Sequence, residues 1–417
     1  MTLWLLDHLL ERIVRTGTLT RVWVDGRRRG FGDDTGPEVV MAVHDRRLPW
    51  RLLLNPSLAL GDAYMDGTVT LPSADIRQLL DLLCRNLGTG SAPWAVNRLA
   101  RAARFVARRA AQHNPAHRAA DRVAHHYDLP DRLYDLFLDA DRQYSAAYFL
   151  SGDDDLDTAQ AQKKRHIAAK LCLAPGQRVL DIGCGWGGLA LHLAQHQGDA
   201  SVIGITLSRE QLRIATARAE RAGLAQRVDF QYRDYRHLQG RFERVVSVGM
   251  FEHVGVTHYR AFFRRLHDLL SDDGVALLHT IGRSDGPGAT DPWIRKYIFP
   301  GGYIPALSEI LPHIEDSGLI VTDIEVLRLH YAQTLAHWLA RFQANRAQFD
   351  AVHDARFQRM WEFYLAGSEM AFRHGGMVVF QIQMARRQDA VPLVRDYITE
   401  TERRHPLPPP VTPPSRF

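Results

Sequence analysis

Val179-Leu180-Asp181-Ile182-Gly183-Cys184-Gly185-Trp186-Gly187-Gly188 reads as an apolar strand that runs out into a glycine loop. The following stretch, WGGLALHLAQHQG, reads as a helix. Glycines at that junction let the backbone turn sharply and approach a ligand. Gly183, Gly185 and Gly188 satisfy G-x-G-x-x-G, the dinucleotide fingerprint, which alone is a weak signal. Two features favour S-adenosylmethionine (SAM) over a nicotinamide dinucleotide. Asp181 lies inside the strand end, as in SAM methyltransferases. The next strand ends Gly204-Ile205-Thr206-Leu207-Ser208, without the acid that would hold a dinucleotide ribose.

Outward from this loop, apolar runs alternate with amphipathic ones. SVIGITL, RVDFQYRD, ERVVSVG and GVALLHTIG read as strands, REQLRIATARAERAG and HYRAFFRRLHDLLSDDG as helices. MVVFQIQMARR suggests one further strand. The expected fold is α/β: a doubly wound, Rossmann-like SAM methyltransferase sheet with a helical, aromatic cap, plus a small α+β N-terminal domain. The segment at about 283–340, rich in aromatics and prolines, is expected over the sheet edge. The expected domains are residues 1–115, ending in a basic helix with Arg98, Arg101, Arg104 and Arg108; residues 116–400, catalytic; and a Pro-rich tail, 401–417.

The composition sets limits on function. With 46% hydrophobic and 24% charged residues, the 417-residue chain is neither disordered nor collagen-like. Cys84, Cys172 and Cys184 fit neither a metal site nor a disulfide framework, which suits a reducing cytoplasm and no metal. The N-terminal MTLWLLDHLLERIV is interrupted by Asp7 and Glu11 and does not read as a signal peptide. No window is long and apolar enough to span a bilayer, so lipid contact is expected at the surface. A net charge of +5 is mildly basic, and no nucleic-acid motif accompanies it.

In open α/β sheets the ligand lies beyond the carboxyl ends of the strands. Glu252 follows the strand ending Ser247-Val248-Gly249, and His279 ends GVALLHT. Each has a bland reading, as a helix cap and as a hydrogen-bonded core residue. Together beside the glycine loop they mark a catalytic crevice. Tyr297, Phe299 and Tyr303 in DPWIRKYIFPGGY are candidates for an aromatic acyl-chain pocket.

VLDIGCGWGGLA, GITLSREQ, GMFEHVG, LLHTIG, KYIFPGGYIP, HYAQTLAHW and, upstream, HHYDLPDRLYDLFLD and QYSAAYF together resemble the cyclopropane fatty acid synthase family over about residues 121–390. LALGDAYMDG resembles the extra N-terminal domain of the bacterial enzymes that act on membrane phospholipid. The resemblance implies transfer of a methyl group from SAM to a cis double bond of a phospholipid acyl chain. A carbocation forms, and deprotonation assisted by bound bicarbonate closes a cyclopropane ring. Family contacts to bicarbonate fall on the Glu252, His279 and Tyr331 side chains and on the main chain of Ala146 and Ile281. Family contacts to SAM fall on Tyr144, Ser145, Asp181, Gly183, Gly185, Gly187, Thr206, Leu207, Gln211, Arg233 and Asp234. Ala146 stands where the family often carries a cysteine, which is harmless for a main-chain contact and alters the base site if the thiol matters; Ser368 stands where another cysteine is sometimes proposed as active, which argues against covalent thiol catalysis. The resemblance further implies a cytoplasmic protein held peripherally at the inner face of the membrane. Homodimeric or higher assembly is left open, as are a methylene- or methyl-branched product and a small-molecule methyltransferase.

Overall fold

The computed structural model describes residues 2–88, 131–196, 200–350 and 354–407. The expected basic helix and the expected boundary near residue 115 lie outside these residues. The described chain divides into two compact units.

One unit is built from residues 2–88 together with residues 288–300 and 335–377. Its sheet contains β1 (Thr18–Val22), β2 (Arg28–Gly32), β3 (Glu38–Val43) and β4 (Val69–Thr70), in the order β2-β1-β3-β4. β1 is antiparallel to β2 and parallel to β3. Arg21 is buried on β1, and its guanidinium donates to both carboxylate oxygens of Asp7 in the helix Thr2–Ile13. Such a pair needs both partners, because either charge alone would be stranded away from water. The downstream segments join through specific pairs. Arg77 donates to buried Glu369 at 2.6 and 2.7 Å, and Tyr64 donates to Glu362 at 3.0 Å. Tyr297 donates to Asp62 at 2.8 Å. Gly61 has no room for a side chain, since a Cβ there would lie 2.3 Å from the Trp293 indole nitrogen. A linear reading that assigns 116–400 to one domain does not anticipate these pairings, which join residues more than 200 positions apart.

The other unit carries a seven-stranded sheet. Its strands are β5 (Arg178–Ile182), β6 (Ser201–Thr206), β7 (Val228–Tyr232), β8 (Phe242–Val248), β9 (Leu270–Arg283), β10 (Ile320–Leu327) and β11 (Met377–Ala385). Their order is β10-β11-β9-β8-β5-β6-β7. The ladders from β9 to β7 are parallel, and β10 is antiparallel to β11. The central strands read as unbroken apolar runs because they feed two cores. Val179, Val246 and Leu277 join one cluster, while their neighbours Leu180, Val245 and Leu278 join the other.

Three details differ from the sequence expectation. The helix read as HYRAFFRRLHDLLSDDG stops at Leu269; Leu270 already pairs with Phe242, and the register resumes at Arg244 and Val275 after an irregularity. The stretch expected to be an insertion at about 283–340 contains the edge strand β10, whose apolar pattern is interrupted by Asp323 and Glu325. The tail expected from residue 401 is helical at its start: the helix Asp396–Arg404 is closed by Glu400 and Arg404, 3.0 Å apart, and Glu402 meets His166 at 2.7 Å.

Candidate active site

β5 pairs with β6 on one side and β8 on the other, so the chain reverses direction across the sheet at β5. That switch point opens a crevice at the carboxyl ends of the strands. A cavity there is lined by the Asp181–Trp186 loop, by Thr206, Leu207 and Gln211 after β6, and by Arg233 to Arg236 after β7. Val248 to Met250, His253 and Val254 follow β8, and Arg142 to Ser145 close the cavity from the preceding loop.

The glycines of the loop divide their work. Gly185 borders the cavity in the left-handed region, φ 53°, and a Cβ there would meet nothing within 4 Å. Its missing side chain leaves space for a ligand. Gly187 was expected to bind the cofactor, but it does not line the cavity. A Cβ on Gly187 would lie 2.6 Å from the Phe230 ring and 3.0 Å from Ala215. Its role is to let the loop pack against neighbouring elements.

Local hydrogen bonds set the remaining lining. Ser208 caps the helix Arg209–Arg221 by accepting from the Gln211 amide, and Thr206 bonds the Gln211 side chain at 2.8 Å. Arg236 clamps Asp234 and holds its carboxyl below the usual range against the opposing effect of burial. Asp181 is buried, which pushes its pKa up to about 7, and Oδ2 has no hydrogen-bond partner. Tyr144 packs edge-on against Tyr134, which also packs on Trp186. Every expected cofactor residue except Gly187 therefore lines one cavity.

The expected catalytic residues lie beside this cavity rather than in its wall. Glu252 and His253 share the turn Phe251–His253, yet only His253 lines the cavity. Glu252 Oε1 accepts from the Ile281 amide at 2.7 Å, and its main-chain carbonyl accepts from the Tyr303 amide. Burial pushes the carboxyl up to about 7 against the pull of the Ile281 bond. Glu252 Oε2 is buried without a partner. His279 is buried at the end of the β8–β9 ladder, where its carbonyl accepts from Gly249. Burial, reinforced by Lys163 and Lys170, holds its pKa well below the ordinary value, so the imidazole is neutral. Gln381 of β11 lies 3.2 Å from His279 Nδ1. The neutral ring donates from one nitrogen and accepts at the other.

Ala146 and Tyr331 are both buried. The amide of Ala147 donates to Thr334 at 3.0 Å, tying the Ala146 segment to the helix that begins His330-Tyr331. The three candidates for an aromatic pocket fall in different units. Tyr297 packs on Trp293, and Phe299 on Tyr364, in the first unit. Tyr303 is a core residue of the second unit, and its hydroxyl donates to Glu309. Burial raises the pKa of all three cysteine thiols, so none is an activated nucleophile.

Lys163, His253 and Gln381 were not anticipated. A signal existed for Gln381: Gln381 and Gln383 share a face of an otherwise apolar strand, and both are buried. Buried polar side chains at period two need partners on that face.

Residues 114–382 match the family described as mycolic acid cyclopropane synthetase. The chain belongs to this family. It is 38% identical over 336 residues to the cyclopropane-fatty-acyl-phospholipid synthase of Escherichia coli (strain K12), covering 81% of this chain and 85% of that protein. A probable fatty acid methyltransferase of Pseudomonas putida is 38% identical over 374 residues, covering 87% of this chain and 90% of that protein. The crystal structure of mycolic acid cyclopropane synthase CmaA1 with SAH and CTAB is 33% identical, with a TM-score of 0.60, and covers 65% of this chain and 99% of that one. As a member of this synthetase family, the protein is a SAM-dependent methyltransferase.

Proposed function

We propose that this enzyme adds a methylene group from SAM across the cis double bond of an unsaturated phospholipid acyl chain and closes a cyclopropane ring. The observation that carries the reading is the buried Glu252, with one oxygen on the Ile281 amide and the other unpartnered, on the edge of the SAM crevice. A buried polar atom without a partner calls for a donor. Bicarbonate fits this place: its hydroxyl would meet Glu252 Oε2, and the ring N–H of neutral His279 and the Tyr331 hydroxyl would serve its oxygens. Ala146 and Ile281 would frame it from the main chain. When bound, bicarbonate supplies a base at a point where no protein base is ionised without cost.

The chain's own residues do the rest. An alkene is a weak nucleophile, so sulfonium and double bond must be aligned and dry. The methyl passes to one alkene carbon and leaves a cation on the other. Loss of one proton from the new methyl lets that carbon bond the cation, and the net addition is CH2. Burial of Glu252 and His279 at this point excludes water from the cation.

The acceptor is read as membrane phospholipid, with the protein peripheral to the bilayer. The relative named for phospholipid aligns over 81% of this chain, whereas the mycolic acid synthase aligns over 65%. In the first unit the helices Thr2–Ile13 and Leu48–Leu54 pack on each other and expose Trp4 (63%), Trp50 (45%) and Leu54 (72%). Exposed tryptophans of this kind suit the boundary between water and lipid. No helix among the described residues is long and apolar enough to cross a membrane. The test is lipid analysis by gas chromatography and mass spectrometry after expression in a host lacking its own ring-forming enzyme. Ring-containing chains are expected. Methylated chains that still add dimethyl disulfide across a double bond would favour the branched product instead.

A further inference from the structure

Lys163 is buried to within 1% in the helix Leu156–Lys170, yet it borders the β5 cavity. Its ammonium donates to Gln143 Oε1 at 2.7 Å and to Ser145 Oγ at 2.8 Å. Gln160, one turn earlier on the same helix, donates to the carbonyl of Ser145 at 3.0 Å. Together they grip the loop that presents Tyr144 and Ser145 to the cavity.

The grip leaves the charge unanswered. An ammonium has three hydrogens, and both bonded partners are neutral. Burial pushes the group down to about 7, although Asp139, Asp141 and Asp181 pull it up. Those carboxylates are engaged elsewhere or stand off. Asp141 binds Lys164 and Arg218, and Asp139 accepts from the amide of Gln143. Asp181 feels the charge of Lys163, but the two make no ion pair among the described residues, and Asp181 Oδ2 is unpartnered. A buried cation with neutral partners and a nearby buried carboxylate with an open oxygen make a complementary pair of incomplete sites. The amino-acid end of SAM is a zwitterion.

We propose that Lys163 binds the carboxylate of the amino-acid moiety of SAM, with Asp181 facing its ammonium, so that Lys163 selects intact SAM while holding the Gln143–Ser145 loop. This rests on the SAM assignment of the cavity and is independent of the identity of the acceptor lipid.

The test is calorimetry on the full chain with SAM and with decarboxylated SAM, which keeps the sulfonium and the amine. The wild-type protein should prefer SAM by roughly ten- to hundredfold, the range for a hydrogen bond to a charged group. Lys163→Met should lose most of that preference, with SAM binding weakened and decarboxylated SAM changed less than about threefold. Equal wild-type affinity for the two ligands would overturn the proposal without any variant having to fold. Equal weakening of both ligands in Lys163→Met would reduce Lys163 to a loop fastener and overturn it as well. Binding of neither ligand by the wild type would overturn the cofactor assignment itself.

Discussion

The β5 cavity, read as the SAM site, and the Glu252–His279 site occupy carboxyl ends of adjacent strands in one sheet, but they are assembled differently. The cavity is built from contiguous pieces, each a strand end with its turn, and its polar groups are largely tied to near neighbours: Thr206 to Gln211, Ser208 to Gln211, Asp234 to Arg236. The Glu252 site is a crossing of distant segments. Glu252 meets Ile281, His279 meets Gln381, and Ala147 meets Thr334. Burial shifts its members toward their neutral forms. Binding a soluble cofactor tolerates polar, accessible walls. Guarding a carbocation from water requires a dry, uncharged enclosure.

Variants should therefore separate the two regions. The largest effect is expected from Glu252→Gln, with turnover down roughly 10²-fold or more and SAM affinity within about twofold, as for loss of a preorganised polar group at a reacting centre. Near-normal product formation would remove Glu252 from the chemistry. Gly185→Val should do the reverse of a pure turnover defect and abolish measurable SAM binding in a folded protein. A branched Cβ would enter the cavity at a residue with φ 53°. By contrast, Gly187→Ala should chiefly cost stability, about 1–3 kcal/mol of overpacking against Phe230, seen as a lowered midpoint of thermal unfolding. Calorimetry on the two glycine variants would sharpen the distinction between a cradle and a packing glycine.

Tyr331→Phe should slow turnover roughly ten- to hundredfold if its hydroxyl serves a buried anion. A silent Tyr331→Phe would take that residue out of the anion site. The smallest effect concerns pH. Glu252 has a raised pKa, about 7 against an ordinary 4.5, so its contribution to stability is fully present below about 4.5 and is lost as pH rises through about 7. Glu252→Gln cannot ionise. Its stability relative to wild type should therefore climb across that window, and a flat difference in thermal melts from pH 4.5 to 7 would contradict the buried-carboxyl reading.

The same contrast explains what could be read from the chain. The SAM loop is legible because a strand, a glycine turn and a helix start are local signals, and Asp181 sits among them. Glu252 and His279 are legible as polar residues at strand ends, but their partners are not. Nothing in the spacing of Gln381 says that it faces His279, since β11 arrives about 100 residues later. A glycine required for packing, as the Phe230 contact makes Gly187, and one required for a ligand look alike in a motif. Lys163 is hidden because a lysine in a polar helix, here LDTAQAQKKRHIAAK, reads as solvated surface. The union of residues 288–300 and 335–377 with the N-terminal unit rests on pairs such as Arg77–Glu369, which no local pattern announces.

The central claim is tested most directly by incubating the purified protein with methyl-trideuterated SAM and vesicles of unsaturated phospholipid, followed by mass spectrometry of the released acyl chains. The account predicts chains that keep two of the three deuterium atoms in a ring and no longer contain the double bond. Chains that keep all three deuterium atoms, or that keep an alkene beside the added carbon, would contradict it.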